Sequence, residues 1–551
     1  MTCLVQRCQG GLPVKAQCLP FTQIPHTTRL FADFLDGSAR LEPFFPRTPY
    51  FSNWFKEEAK NISYDSSRRE RVAQILERQN RVWGASAKTL ENIARLKAGA
   101  AVVVTGQQVG LFGGPLFSLF KALTAVKLAQ EATNAGVDCV PIFWLATQDH
   151  DLAEVSNVSV PGTEAVLQKL QTSSHGTFDA PVGTIQLGSE IEAVVAEAVQ
   201  LLGESEATAL LPESYRPEET FGSAFARLFA RLFGEWGVVL LDAADAELNV
   251  VAAPIYRAAI ENAAKLEESL LARGRELEAA GYHQQVKITD SSTLLFTLQN
   301  GVRTPLDRRS EGNLTIFLAG DATISQSELL RQIESAPQNF SANVLLRPVV
   351  QDYLLPTLAY TGGSAEVAYF AQAAVVYQAL AERVTPIVPR FSATLIESKA
   401  NALLERYQLT LTSLFQGPEK IREQLAAQAL PQELSDAFDQ TGAGLDKSFT
   451  AIRDALNRLD KTLVEAATNA ESKIRHQLES LRSKAARAEL RQSEVFDRHA
   501  QLLNNMLYPN KALQEREIGG LYFVSRYGAG LLKDLYEFIH TDCFDHQVIT
   551  L

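Results

Sequence analysis

The chain has 551 residues, with 52 Lys and Arg against 64 Asp and Glu, a formal net charge of −12. At roughly 150 residues per domain this length predicts two to four domains, and 46% hydrophobic with 21% charged residues is the balance of a folded protein rather than a disordered one. The acidity argues against a nucleic-acid binder, and no stretch approaches the ~20 consecutive apolar residues that span a bilayer. The five cysteines, at 3, 8, 18, 139 and 543, form no C-x-x-C pair and no zinc-type spacing. A reducing compartment fits them. The N-terminal stretch lacks the apolar core of a secretory signal, so a cytoplasmic protein is expected.

In chain order, residues 27–100 read mostly as helix. The run from Ser66 to Leu96 holds one glycine and no proline, with Val72, Ile75, Leu76 and Trp83 near helical spacing. The three prolines of LEPFFPRTPYF (41–51) predict an irregular link. AAVVV (100–104) predicts a buried strand, and TGQQVGLFGGP (105–115) follows with four glycines in eleven residues. FSLFKALTAVKLAQEA (117–132) predicts a helix with Phe117, Phe120, Thr124 and Leu128 on one face. VDCVPIFWLA (137–146) predicts a second strand, with Pro141 its one unfavourable residue. Strand, glycine loop, helix and strand make a βαβ unit with a right-handed crossover. WGVVLLDAAD (236–245) predicts another buried strand.

Residues 283–320 change character. HQQVKI, TLLFTL and TIFLAG are short apolar runs between turn residues and predict antiparallel strands of an inserted element. The doubly wound pattern then returns. NVLLRP (343–348) and TLAYTGG (357–363) flank a helical or turn segment, 364–383 predicts a helix, and TPIVPRFSATL (385–395) is extended. From Leu445 to Tyr508 there is no glycine or proline. Small or apolar residues recur from Phe449, Ile452 and Leu456 to Ala470, shift register once through Ile474 and Leu478, and resume at Leu481. That is a heptad seam with a stutter. As one helix rising ~1.5 Å per residue it would reach roughly 95 Å. Such a seam needs a cover, from 397–409, from 418–428 or from a second subunit. The tail from Pro509 regains aromatics and glycines and is expected to pack back on a folded body.

In an open parallel sheet, ligands sit outside the carboxyl ends of the strands. Two polar clusters fall there. One is Thr105, Gly106, Gln107 and Gln108, with Gly113 and Gly114 at the helix start; the other is Thr147, Gln148, Asp149, His150 and Asp151. Both are expected to face one crevice. Glycines beside a helix N-terminus let backbone N–H groups approach an anion, and Lys121 adds a positive charge in the second turn. The same glycines also suit a plain tight turn, and the pattern is neither Walker A nor G-x-G-x-x-G. Asp151-Leu152-Ala153-Glu154 fits a helix capping box, which accounts for Asp151 without chemistry and leaves Asp149 and His150 unexplained. His150 beside carboxylates suits a general base or a substrate-orienting group. No companion histidine stands at metal spacing, and no metal site is assigned. A third cluster comprises Arg347, Gln351, Asp352, Tyr360, Gly362, Gly363, Glu366 and Tyr369, with Ser364 a natural N-cap after the two glycines. Arg390 and Ser392 could supply a further carboxylate or phosphate contact.

At these residues a family resemblance becomes readable. TGQQVGLFGGPLFSLFKALTAVKLA, VPIFWLATQDHDLAEV, NVLLRPVVQDYLLPTLAYTGGSAEVAYFAQ, VPRFSATLIE and YPNKALQEREIGGLYFVSRYG resemble the bacillithiol-biosynthesis cysteine-adding enzymes, the BshC family, from about residue 25 to the end. The resemblance implies an α/β fold: a Rossmann-type parallel-sheet core with inserted connecting elements, plus an α-helical antiparallel coiled-coil domain that supports a homodimer. The expected boundaries are 1–395 for the core, with a helical N-terminal part and inserted β elements near 155–235 and 270–340; 396–508 for the coiled coil; and 509–551 for a segment returning to the core. It implies a ligase joining L-cysteine to glucosaminyl-malate in the last step of bacillithiol synthesis, with small-molecule substrates and neither nucleic acid nor membrane as partner.

The chain departs from the wider class I synthetase pattern. Leu111-Phe112-Gly113-Gly114-Pro115 stands where H-x-G-H would steady a triphosphate, and Arg390-Phe391-Ser392-Ala393-Thr394 stands in place of a lysine-rich signature. An amide still requires an activated carboxylate, and ATP is the candidate activator. The expected roles are these. The 105–115 loop and Lys121 hold phosphate or carboxylate oxygens, Asp149 or His150 takes a proton from the attacking sugar amine, and Arg347 and Arg390 neutralise malate or phosphate charge. The competing readings are a class I-like nucleotidyltransferase acting on a small acid or sugar, and a coiled-coil scaffold with a ligand-binding Rossmann body.

Overall fold

The computed structural model of the chain describes residues 15–46, 54–173, 179–311, 314–381, 383–427, 432–490 and 494–551. Cys3, Cys8 and part of the proline-rich 41–51 link lie outside the described residues. Contacts divide the chain into two units. One comprises 1–160, 168–393 and 515–547; the other comprises 161–167, 394–514 and 548–551.

The first unit is built on a five-stranded parallel sheet. Ala101–Gln107 is buried along nearly its whole length and Cys139–Leu145 along all of it, as β-branched and apolar runs covered on both faces must be. The strand order is Ile387–Pro389, Thr357–Gly362, Ala101–Gln107, Cys139–Leu145, Val239–Asp242, which counted in chain order is 5-4-1-2-3. The chain direction of strand addition reverses between Ala101–Gln107 and Thr357–Gly362, so their carboxyl ends open a crevice. Pro141 is tolerated because pairing with the Val239–Asp242 strand begins only at Ile142. The Phe117–Asn134 helix carries the crossover between the first two strands and buries twelve side chains, more than a single stripe, because sheet and later segments cover it on several sides.

The outer edge of Val239–Asp242 is closed by side-chain amides. Asn80 donates to the Leu240 carbonyl (2.8 Å) and accepts from its N–H (3.0 Å), and Gln79 accepts from Asp242 N–H (3.1 Å). These two residues of the Ser66–Val82 helix stand in for a sixth strand and satisfy backbone groups that would otherwise form an open edge.

Several expectations change in the structure. The helical run over 66–96 is two helices, Ser66–Val82 and Ala87–Ala98, parted at Gly84 (φ 78°), with Ser86 capping the second through Thr89 N–H. The 155–235 region, expected as an inserted β element, is mainly helical: Glu190–Leu202, Glu206–Ser214 and Phe221–Leu232. Its apolar residues repeat at helical spacing, and the Ser205 and Thr220 capping boxes start two of these helices. The later insertion is an antiparallel sheet that includes Ser292–Gln299, Val302–Glu311 and Leu314–Ala319. HQQVKI is not one of its strands, because the Gln372 side chain takes both backbone groups of Val286 (2.8 and 2.7 Å). Val302–Glu311 escapes sequence reading because it carries Pro305 and five charged residues. NVLLRP is a turn entering the Arg347–Leu354 helix, since Asn343 Oδ1 accepts from Leu345 and Leu346 N–H (both 3.0 Å).

The second unit is helical. The long seam is not one rod but two 28-residue helices, Gln432–Leu459 and Leu463–Leu490, followed by Glu494–Leu507. The chain turns at Asp460, whose carboxylate accepts from Thr462 N–H (2.9 Å) and Thr462 Oγ1 (2.7 Å). Ion pairs Arg453–Glu471, Arg475–Asp446 and Arg482–Asp439 fix an antiparallel register. The heptad pattern thus covers itself in part, with Pro418–Ala427 packed against both Leu463–Leu490 and Glu494–Leu507. Among the described residues no helix is long and apolar enough to cross a membrane.

Candidate active site

A cavity of 740 Å³ opens at the carboxyl ends of the parallel strands, at the point where the strand order reverses. Gly106 and Gln107 reach it from the first strand, Trp144 from the second, Tyr360 from the fourth, and Gly363 and Glu366 from the start of the Ser364–Leu380 helix. The antiparallel insertion contributes Phe296 and Arg303, and the returning 515–547 segment contributes Arg516.

Lys121 is buried, and its ammonium donates to Gly106 O, Gln107 Oε1 and Glu366 Oε1, each at 2.8 Å. Three donors meet three acceptors, so this lysine has no N–H left for a ligand. Burial lowers its pKa, opposed by the charge of Glu366. Burial would raise Glu366, but Lys121, the Gly363 N–H and the Tyr360 hydroxyl hold it below the usual carboxylate range. Gly106 lets its strand pass close to Trp144: a Cβ would lie 3.2 Å from both Trp144 Cβ and the Trp144 carbonyl, tighter than ordinary contact.

Arg347 differs in kind. It donates to Gln351 Oε1 and to the Tyr369 hydroxyl (both 3.0 Å), and its guanidinium lies 4.9 Å from the Tyr360 ring centre. Among the described residues no carboxylate lies within ion-pair distance of it. Nearby Tyr369, Tyr360 and Glu366 nevertheless raise its pKa against the effect of burial. Arg390 is neutralised, donating to Glu515 Oε1 and Phe391 O (both 2.7 Å). Glu515 also receives the Ser392 hydroxyl at 2.9 Å, which places Ser392 behind Arg390 rather than in the cavity.

Asp149 lines the cavity and is held from several sides. Gln108 Nε2 donates to its Oδ2 (2.6 Å), its own neighbour's N–H donates to Oδ1 (2.8 Å), and Arg303 stands 3.5 Å away. Arg303 N–H also donates to His150 Nδ1 (3.1 Å), which puts the proton of a neutral imidazole on Nε2. The Arg303 guanidinium lies 3.8 Å from the Phe296 ring centre and is further held by Ser341 Oγ and Ala342 O (both 3.1 Å). Glu154 lines the same wall, its pKa raised by burial.

The structure thus brings together Gly106, Gln107, Gln108, Lys121, Asp149, Arg347, Tyr360, Gly363, Glu366, Tyr369 and Arg390. It places the other candidates elsewhere. Thr105 is fully buried and bonded to Thr361 O (2.9 Å). Gly113 N–H goes to Gly110 O and the Tyr215 hydroxyl, and Gly114 N–H to Leu111 O, so neither glycine offers a free donor to an anion. His150 stands behind Arg303, outside the cavity lining, and Asp151 caps the Leu152–Val155 turn through Glu154 N–H (3.0 Å). Gln351 is buried as the partner of Arg347, Gly362 is packed against Glu366, and Asp352 faces the opposite end of the sheet. Sequence reading missed Arg303, Arg516, Glu154 and Phe296. Arg303 sits in the strand hidden by its charges, and its only signal is an arginine just after the Asn300-Gly301 turn. Among the described residues no group of three or more His, Cys, Asp or Glu could hold a metal ion.

Comparison with known proteins agrees with this architecture. The family profile described as "Bacillithiol biosynthesis BshC, N-terminal Rossmann-like domain" matches residues 14–391, and "Bacillithiol biosynthesis BshC, C-terminal coiled-coil domain" matches 393–551. A protein of Koribacter versatilis named "Putative cysteine ligase BshC" is 48% identical over 97% of this chain and 99% of its own length. Proteins of the same name from Solibacter usitatus and Geobacillus thermodenitrificans are 35% and 30% identical, over 97% and 93% of this chain and 99% and 96% of their own lengths. The chain belongs to the bacillithiol biosynthesis BshC family, whose matched members carry the name of ligases.

Proposed function

We propose that the chain is a ligase that joins L-cysteine to glucosaminyl-malate through an amide bond, the last step of bacillithiol synthesis. The observation that carries this reading is Arg347. A fixed guanidinium without a carboxylate partner lies in the same cavity as a carboxylate, Asp149, held at a distance by Gln108 and Arg303. A malate-bearing sugar amine needs a cation for its carboxylates and a proton acceptor for its nitrogen, and this cavity supplies both. In the forming step the amine nitrogen bonds to the activated cysteine acyl carbon, the leaving group departs with its bonding pair, and Asp149 takes the amine proton. Asp149 has this role rather than His150 because only Asp149 lines the cavity. Glu366 and Lys121 neutralise each other and hold Gln107 and Tyr360 in place.

Activation of the cysteine carboxylate by ATP belongs to this reading, but the glycine bend does not fit a triphosphate. The N–H groups of its Gly110, Gly113 and Gly114 and the Lys121 donors are all engaged. The same observation counts against the nucleotidyltransferase reading. The test is the purified chain given ATP, L-cysteine and glucosaminyl-malate, with mass spectrometry of the products. Bacillithiol formed together with ADP or AMP supports the ligase; an adenylylated sugar without thiol product supports the transferase.

The proposal extends to a homodimer through the coiled coil. Ile452, Leu459, Leu463, Ile474 and Leu481 are 42–79% exposed on the two long helices. A second copy of the same hairpin is the occupant proposed for these side chains.

A further inference from the structure

A second cavity, of 370 Å³, lies at the other end of the parallel sheet. Thr357, the first residue of its strand, and Leu380, the last residue of the Ser364–Leu380 helix, line it, while the far ends of both elements line the large cavity. The Arg347–Leu354 helix runs between the two in the same sense, with Arg347 in the large cavity and Asp352 and Tyr353 in the small one.

The walls combine apolar Ile62, Ile255 and Val349 with two arginines of different standing. Arg383 is fully engaged: it pairs with Glu58 (3.3 Å) and donates to Thr357 O, Leu358 O and Thr385 Oγ1. Arg68 is not. Its guanidinium lies 3.9 Å from the Tyr353 ring centre and 4.9 Å from that of Tyr64, so two aromatic faces fix its direction. Its Nε is buried without a hydrogen-bond partner. Among the described residues no carboxylate lies within ion-pair distance, because Asp65 uses its Oδ1 to cap the helix through Arg68 N–H and Ser67 Oγ. Among the described residues of the wall the carboxyl is that of Asp352, which already accepts from Thr385 Oγ1 and Gln351 Nε2 and whose pKa burial raises toward the neutral form.

We propose that this second cavity is a binding site for a small anion bearing a phosphate or carboxylate group, held by the Arg68 guanidinium with its carbon skeleton against Ile62, Ile255 and Val349. An oriented guanidinium with no ion pair among the described residues, beside an apolar wall, is the arrangement that recognises such oxyanions. The volume limits the ligand to a small metabolite. The site is separate from the cavity assigned to the ligase reaction and stands whether or not that assignment holds.

The test is isothermal titration of the full chain with inorganic phosphate and, separately, with succinate, in wild type, Arg68→Met, Ser63→Trp and Arg347→Met. Methionine keeps apolar contact with Tyr353 but removes the charge. Tryptophan at exposed Ser63 fills the cavity mouth with little risk to folding. The wild type should bind at least one probe, and which one distinguishes a phosphate from a carboxylate ligand. Arg68→Met and Ser63→Trp should each weaken that binding by at least roughly tenfold, and Arg347→Met should leave it in place. No binding of either probe at millimolar concentration would overturn the proposal. So would unchanged affinity in both Arg68→Met and Ser63→Trp, or loss of every binding event in Arg347→Met, since a probe seated on Arg347 in the large cavity accounts for only one of them.

Discussion

Arg347 is set between neutral partners, so its charge is available to a ligand while its direction is fixed by Gln351 and Tyr369. Replacing it with methionine should weaken glucosaminyl-malate binding by about 2 kcal/mol, some thirtyfold, measured by calorimetry; an unchanged affinity would separate this arginine from the malate carboxylates. A second residue-scale consequence concerns His546. It is fully buried and bonded to Ser392 Oγ (2.8 Å), and burial lowers its pKa from 6.5 to about 4, with Glu515 opposing and Arg390 assisting. The unfolded chain takes up this proton near pH 6.5 and the folded chain only near pH 4, so between them the unfolded state binds more protons. Stability from this group is complete above pH 6.5 and is lost as pH falls toward 4, by roughly 3 kcal/mol. The expected result is a steeper acid loss of thermal stability in wild type than in His546→Gln over that window. Parallel curves for the two proteins would contradict it.

At the scale of elements, the edge of the parallel sheet depends on two amides. Asn80→Leu removes the pairing of Leu240 and leaves its N–H and C=O buried without partners. The thermal midpoint should fall, by an amount corresponding to about 2 kcal/mol, and an unchanged midpoint would mean that water or a shift of the strand replaces the amide. Much of this layer is legible in the sequence. AVVV and CVPIFWL are long apolar runs that sort into buried parallel strands, and the Phe117–Asn134 helix follows from its uninterrupted apolar spacing. What escapes is settled by single side-chain bonds. Gln372 takes the backbone of Val286 out of a strand, Asn343 turns NVLLRP into a helix entry, and Asp460 folds the long heptad run back on itself. Gln372 lies 86 residues from Val286, beyond any local reading, while Asn343 and Asp460 bond within three residues but are too common in type to mark these turns in advance. The site shows the same division. Gln108 and Asp149 meet as strand-end residues of adjacent parallel strands should, whereas Arg303 arrives from an insertion whose register depends on the fold. Gly113 and Gly114 look like an anion cradle by composition, but Tyr215 and the bend itself consume their N–H groups.

At the scale of the whole molecule, a unit built on the parallel sheet accompanies a helical unit that exposes apolar seam residues. If the seam joins two copies, Leu459→Glu combined with Leu481→Glu should convert a dimer to a monomer in sedimentation analysis while leaving the far-ultraviolet spectrum unchanged; a wild-type monomer at micromolar concentration would remove the dimer from the account. In the proposed function, the cavity containing Asp149 and Arg347 performs the cysteine-adding step. Its most direct test is metabolite measurement in a bacillithiol-producing strain that lacks its own family member and carries this chain as wild type or as Asp149→Asn, at matched protein levels. Wild type should restore bacillithiol, and Asp149→Asn should accumulate glucosaminyl-malate while bacillithiol falls by roughly a hundredfold or more. Normal bacillithiol in the Asp149→Asn strain would contradict it.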